Sequence, residues 1–231
     1  MNIANNILKR CMQNVYFFVG TACGGKTTMG RALSKKYGFT YFSDNWNEPN
    51  WKDWESIIDE KYQPYSYNGG KSLSNEEYFS RSVEEFLADQ KSKNSQEAGM
   101  ENIAFSIIEI LKLAQKNAVV ADIWITDYNF LLEISDYGRI ACLMAPGELI
   151  IRDYYQRDDH IAFTKAIQSL ENPEQKFEVQ NELFRIHAKE EAEKAKKYNL
   201  FSIMRSDEST IEGTLAQLEN HFCLTNNIQK R

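Results

Sequence analysis

A wholly apolar, β-rich run, Val15-Tyr16-Phe17-Phe18-Val19, is followed at once by Gly20-Thr21-Ala22-Cys23-Gly24-Gly25-Lys26-Thr27, and then by helical spacing of Met29, Ala32 and Leu33 that Gly38 stops. No other stretch limits the fold as tightly. A run apolar on both faces of a strand must be covered on both sides, as in a parallel sheet. The glycines permit a turn in which backbone N–H groups face inward. A helix beginning at Lys26 offers unpaired N–H groups and a positive dipole end to an anion. The segment fits G-x-x-x-x-G-K-[ST], in which the lysine reaches the β- and γ-phosphates of a nucleotide and the threonine hydroxyl ligates Mg²⁺. Gly20, Thr21, Ala22, Cys23, Gly24, Gly25, Lys26, Thr27 and Thr28 are therefore the expected nucleotide-binding residues. Cys23 stands at a free position of the pattern and reads as a small filler.

The rest of the chain sets the frame. It has 231 residues, 42% of them hydrophobic, which is enough for one large domain with a packed core. The formal net charge of −6 gives no general attraction to nucleic acid or to an anionic membrane. The four cysteines, Cys11, Cys23, Cys142 and Cys223, form no C-x-x-C pair, and the three histidines are scattered. A reduced, cytoplasmic protein without a zinc site is expected. No apolar run approaches the length of a membrane helix.

Further strands are expected at 39–44, 118–126, 138–145 and 200–206. Helices are expected at 74–90, 100–117, 148–170, 174–199 and 207–222, with Asp207 as the cap of the last, and a loop at 91–99. Alternating strands and helices predict a parallel sheet covered on both faces, with ligands at the carboxyl ends of the strands. Residues 45–100 differ in character. They hold Trp46, Trp51, Trp54, Tyr62, Tyr65 and Tyr67, which either wall a planar or sugar-like acceptor or fill the core of a small helical cap.

Three residue groups beyond strand ends, and Arg81 on the helix at 74–90, can complete a site. Asp122 ends Ala118-Val119-Val120-Ala121-Asp122, as a carboxylate that holds Mg²⁺ would; the plainer reading is a solvent-facing strand end, and Asp127 competes for the role. Asp44, in Ser43-Asp44-Asn45, can take a proton from an acceptor hydroxyl or simply open a turn. Arg152 and Arg157 lie five apart beyond the fourth strand, where they can cover a migrating phosphoryl group or pair with Asp153, Asp158 or Asp159. Arg81 can meet an acidic group on the acceptor or serve the structure alone.

In this order the pieces resemble the P-loop small-molecule kinases: nucleoside monophosphate, shikimate and gluconate kinases and antibiotic phosphotransferases. The resemblance runs from Val15 to Phe222 and is specific at residues 20–28. It implies an α/β three-layer sandwich with a five-stranded parallel sheet in the order 2-3-1-4-5. It also implies a single domain over 1–231, with a helical acceptor-binding insertion at 45–100 and a lid at 146–172. The implied activity is transfer of the ATP γ-phosphate, with Mg²⁺, to a hydroxyl or phosphate of a small molecule. Lys26, Asp44, Arg152 and Arg157 would be catalytic. Asp44, Trp46 and Arg81 would face the acceptor, Thr27 and Asp122 the metal, and Arg205, Ser206 and Asp207 the adenine. No Asp-Gly-Phe-Pro-Arg follows the third strand, where the chain reads Asp122-Ile123-Trp124-Ile125-Thr126, and no Gly-Gly-Gly stands there. AMP and shikimate are therefore disfavoured as acceptors. A toxin-like or antibiotic-inactivating kinase, and a nucleotide sensor with slow ATPase activity acting through a partner protein, remain alternatives. The sequence leaves open the acceptor, the base (adenine or guanine) and the oligomeric state, for which a homodimer is compatible.

Overall fold

Every residue of the run Val15–Val19 is buried, and alternate side chains enter opposite layers. Val15, Phe17 and Val19 join one apolar cluster, and Tyr16 and Phe18 another. The structure, a computed structural model, describes residues 4–44, 65–66, 71–93 and 96–224.

The strands of the main sheet are β1 (Val15–Val19), β2 (Thr40–Ser43), β3 (Val119–Asp122), β4 (Ile140–Met144) and β5 (Ser202–Met204). All are parallel, in the order β2-β3-β1-β4-β5. This is the 2-3-1-4-5 order expected of the P-loop kinase fold. The helices are α1 (Asn5–Cys11), α2 (Lys26–Tyr37), α3 (Asn75–Phe79), α4 (Val83–Lys93), α5 (Gln96–Ala114), α6 (Tyr128–Ile134), α7 (Gly147–Tyr154), α8 (Ile161–Gln168), α9 (Pro173–Lys197) and α10 (Ile211–His221). Residues of α1, α5, α6 and α9 cover one face of the sheet, where Leu8, Ile107, Ile110, Leu131 and Ala195 meet Phe17 and Val119. Residues of α2 and α10 cover the other, where Met29, Leu33 and Leu218 meet Phe18, Val120 and Leu143. Parallel strands place all five carboxyl ends at one edge, so Gly20, Asp44, Asp122, Ala145 and Arg205 line up there. Among the described residues no helix is long and apolar enough to cross a membrane.

Several elements depart from expectation. The single helix at 74–90 is two. Ser74 and Glu77 form a reciprocal capping box, and Ser82 and Glu85 repeat it eight residues later, which restarts the chain as α4. The helix at 148–170 also breaks. Tyr154 and Tyr155 turn inward against Phe184 and Phe177 of α9, with ring centroids 4.6 and 5.0 Å apart, and Thr164 Oγ1 donates to the freed Tyr155 carbonyl. Aromatic packing outweighs the local helical pattern there. Asp207 caps nothing: Thr210 accepts the Gly213 N–H and starts α10, while Asp207 pairs with Arg152. The third strand ends at Asp122 rather than at Thr126, and the loop at 91–99 is entered by α4 and left by α5. α1 and α6 carry no signal long enough to have been read. Trp46, Trp51, Trp54, Tyr62 and Tyr67 lie outside the described residues.

Phe222 closes the second layer. It lies 4.9 Å from Tyr16 edge-on and 5.9 Å from Phe18 in a stack, and is 4% exposed. Truncating Phe222 to Ala should destabilise the fold by about 3–5 kcal/mol, read from the midpoint of urea unfolding.

Candidate functional site

The turn after β1 lies flat on the end of β4. A Cβ on Gly20 or on Gly24 would stand 2.2 Å from the Leu143 carbonyl oxygen, so neither position accepts a side chain. The Thr21 N–H donates to the same Leu143 oxygen (3.2 Å), and Thr21 Oγ1 accepts the Ala145 N–H (2.8 Å). Gly25 has open space around it, but its φ of +94° is one that L side chains rarely adopt. Cys23, a non-glycine, holds φ +55°, at a cost of about 1–2 kcal/mol. Burial pushes its thiol pKa up, partly offset by the Arg157 guanidinium against it. That suits a packing role better than a reactive one. α2 then begins with no side-chain cap and no acidic residue in its first turn, so its N-terminal dipole is uncompensated. Lys26 Nζ donates to the Thr21 carbonyl (2.7 Å) and the Gly20 carbonyl (3.3 Å), folding its charge over the turn.

In the first turn of α2, Thr27 Oγ1 donates to Asp122 Oδ2 (2.8 Å). The Tyr41 hydroxyl donates to the same oxygen (3.0 Å). Burial and the neighbouring Asp122 charge both push the Tyr41 pKa up, so it remains a donor. Tyr41 reaches Asp122 because Gly30 has no side chain. A Cβ there would stand 2.6 Å from the Tyr41 ring. Glycine inside a helix costs about 1 kcal/mol against alanine, and here it clears the path of a ring.

Asp44 leaves β2 beside this pair, its N–H donating to the Asp122 carbonyl (3.4 Å). The Trp124 N–H donates to both carboxyl oxygens (3.2 and 3.1 Å), and the Ser106 hydroxyl lies 3.5 Å away. Although Asp44 keeps some contact with solvent, burial is the main reason its pKa rises to about 7; the Trp124 N–H opposes the rise and the Asp122 charge adds to it. Asp127, its competitor, is committed elsewhere: Oδ1 accepts the N–H groups of Asn129 and Phe130 and caps α6.

The arginines are not free. Arg152 binds Asp153 (2.7 Å) and Asp207 (2.7 Å) and sits half-exposed. Arg157 pairs with Asp159 through two nitrogens (2.9 and 2.5 Å) and lies against Cys23 of the turn. Arg205 donates to the Cys23 carbonyl (2.9 Å) and to Asp153 (2.8 Å). Arg81 lies over the Tyr78 and Phe86 rings at 4.4 and 4.0 Å and donates to the Tyr78 carbonyl, which ties it into the α3–α4 junction. Ser206 is engaged by Ser209. Trp46 lies outside the described residues. The structure thus brings Gly20–Thr28, Asp44, Asp122, Arg157 and Arg205 to one edge. Sequence reasoning missed Tyr41, Gly30, Ser106 and the Trp124 N–H; of these only Gly30, a glycine inside a helical pattern, leaves a local signal. Among the described residues no group of three or more His, Cys, Asp or Glu is arranged to hold a metal.

Neither a protein-family model nor a characterised protein matches the sequence. Solved structures align along nearly the whole chain, among them two kinases. One is shikimate kinase from Acinetobacter baumannii in complex with shikimate, at 16% identity over 96% of this chain and 98% of that one, with a TM-score of 0.38. The other is dephospho-CoA kinase from Campylobacter jejuni, at 18% identity over 93% of this chain and 96% of that one, with a TM-score of 0.42. The fold rests on the observed strand order, and its chemistry rests on the residues gathered at the strand ends.

The raised Asp44 pKa makes a testable link to stability. Between about pH 4 and pH 7 the folded chain keeps a proton on Asp44 that the unfolded chain has lost. Stability therefore falls as pH rises through that window. Asp44→Asn removes the effect. The variant should gain on the parent over pH 4–7, with a slope approaching about 1.4 kcal/mol per pH unit, and the gap should flatten above pH 7 in paired urea titrations.

Proposed function

We propose that the chain is a phosphotransferase that moves the ATP γ-phosphate, with Mg²⁺, to a hydroxyl or phosphate of a small molecule. The observation that carries the reading is one edge holding three parts: a glycine turn feeding an uncapped helix, the Thr27–Asp122 pair, and a second carboxyl group, Asp44, with its pKa raised to about 7.

The residues fit these ligands. Thr27 Oγ1 and Asp122 Oδ2 are hard oxygen donors 2.8 Å apart. So small a protein donor set suits a cation that takes its other ligands from phosphate and water, as Mg²⁺ does. Bound Mg²⁺ would neutralise charge on the phosphate oxygens. Lys26 would exchange the Thr21 and Gly20 carbonyls for phosphate oxygens, supported by the N–H groups at the start of α2. Asp44 would receive the acceptor proton; a pKa near 7 is well matched to that work at neutral pH. Arg157 would release Asp159 and turn over the migrating group, with Arg152 behind it. In this reading residues 146–172 act as a lid that also excludes water, and 45–100 hold the acceptor, with Trp46 and Arg81 on its side. The adenine would lie by Arg205, Ser206 and Asp207. A cytoplasmic location, where ATP is supplied, goes with it.

One observation favours a second reading, a slow nucleotide-hydrolysing sensor acting through a partner protein. Arg152 rests on Asp153 and Asp207, and Arg157, although against Cys23, is held by Asp159.

Titration calorimetry with ATP and Mg²⁺ tests the shared part. Lys26→Ala should weaken binding about a hundredfold or more and abolish turnover while leaving the melting temperature near the parent value. An active Lys26→Ala protein contradicts the mechanism. Turnover by the parent should rise with pH through about 7, as Asp44 loses its proton, and Asp44→Asn should remove that rise while retaining ATP binding.

A further inference from the structure

Three independent features meet at Cys23. Its backbone is left-handed, its thiol lies against Arg157, and its carbonyl accepts Arg205 Nη1 at 2.9 Å. A non-glycine residue keeps such a conformation only where its surroundings over-determine it. Arg205 is well placed to do so. Just beyond β5, its own N–H is fixed to the carbonyl of Met144 at the end of β4 (2.7 Å), and its second nitrogen is held by Asp153 of α7 (2.8 Å). Asp153 is held in turn by Arg152, whose hydrogen bond and charge keep the Asp153 pKa low.

The Cys23 carbonyl belongs to the same planar peptide as the Gly24 N–H, and in a trans peptide the two point in opposite directions. Pinning the carbonyl aims the N–H across the turn. There it makes only a long bond, 3.4 Å, to the Thr21 carbonyl, an oxygen that Lys26 already occupies at 2.7 Å. A donor so loosely engaged, beside a lysine and an uncapped helix start, is ready for a stronger acceptor.

We propose that Arg205 is a positioning residue for the phosphate turn, which orients the Gly24 N–H toward a polyphosphate by holding the Cys23 carbonyl, and that Asp153 holds Arg205 in place. The inference rests on the reading of the turn as a phosphate-binding one. It departs from an adenine role for Arg205, because the guanidinium is used on the backbone of the turn and not on a base.

Equilibrium binding of two probes separates these roles: ADP with Mg²⁺, and inorganic tripolyphosphate, which has no base. Arg205→Met should weaken both by the same factor, about tenfold. Arg205→Lys should recover part of the loss, since it keeps one donor without the fork. Asp153→Asn should also weaken both probes. A loss for ADP with tripolyphosphate unchanged would assign Arg205 to the base and overturn the proposal. Tighter binding by Asp153→Asn would overturn it too, because that is the result if Arg205 contacts phosphate directly and Asp153 merely competes for it. Thermal melts accompany each variant; should Arg205→Met not fold, Arg205→Lys and Asp153→Asn carry the test. A parent protein that binds neither probe overturns the phosphate-binding reading itself, which distinguishes the two failures.

Discussion

The contact between the turn at Gly20–Gly24 and the carbonyl of Leu143 governs the rest of the site. That oxygen lies 2.2 Å from where a Cβ of either glycine would be and accepts the Thr21 N–H as well. The turn is thereby seated on β4, α2 starts at a fixed place, and Thr27 arrives beside Asp122 at the end of β3. Asp44 follows because β2 pairs in register with β3, Ser43 opposite Asp122. A loop alone would not hold these groups; the parallel sheet does, with β1 buried between β3 and β4.

Charge is distributed around this seat in a defined way. The two carboxylates nearest the turn differ in partners. Asp122 accepts two hydroxyl donors, from Thr27 and Tyr41. Asp44 has chiefly one backbone N–H, and burial, with the nearby Asp122 charge adding to it, raises its pKa to about 7. In the proposed reading these different environments suit Asp122 to a metal and Asp44 to a proton. The arginines beyond β4 and β5 are engaged by Asp153, Asp159 and Asp207, with Arg205 also holding the Cys23 carbonyl, and Lys26 folds its charge over the turn.

What the sequence revealed followed the range of the interactions involved. Val15–Val19 and Lys26–Tyr37 were legible because apolar runs, helical spacing and a terminal glycine are local. The double box Ser74-x-x-Glu77 and Ser82-x-x-Glu85 was equally local, and reading it would have split the helix at 74–90 correctly. The break after Tyr154 was not legible, since it depends on Phe177 and Phe184 of a later helix. Asp207 looked like a cap and Arg152 like a lid arginine; their pairing joins two separate segments of chain. Arg205 meets Cys23 across 182 positions, and Tyr41 meets Asp122 across 81, distances at which no spacing rule operates. The glycine turn was readable because its residues are contiguous; the groups that contact it come from far along the chain.

The central claim is that this edge transfers phosphate to a small acceptor. It is tested most directly by ATP consumption with Mg²⁺, measured across a panel of nucleosides, nucleotides, sugars and small hydroxy acids. The account predicts that one class raises turnover about a hundredfold over buffer, by placing its hydroxyl or phosphate at Asp44. Tight ATP binding with no acceptor raising turnover would contradict it and favour the nucleotide sensor.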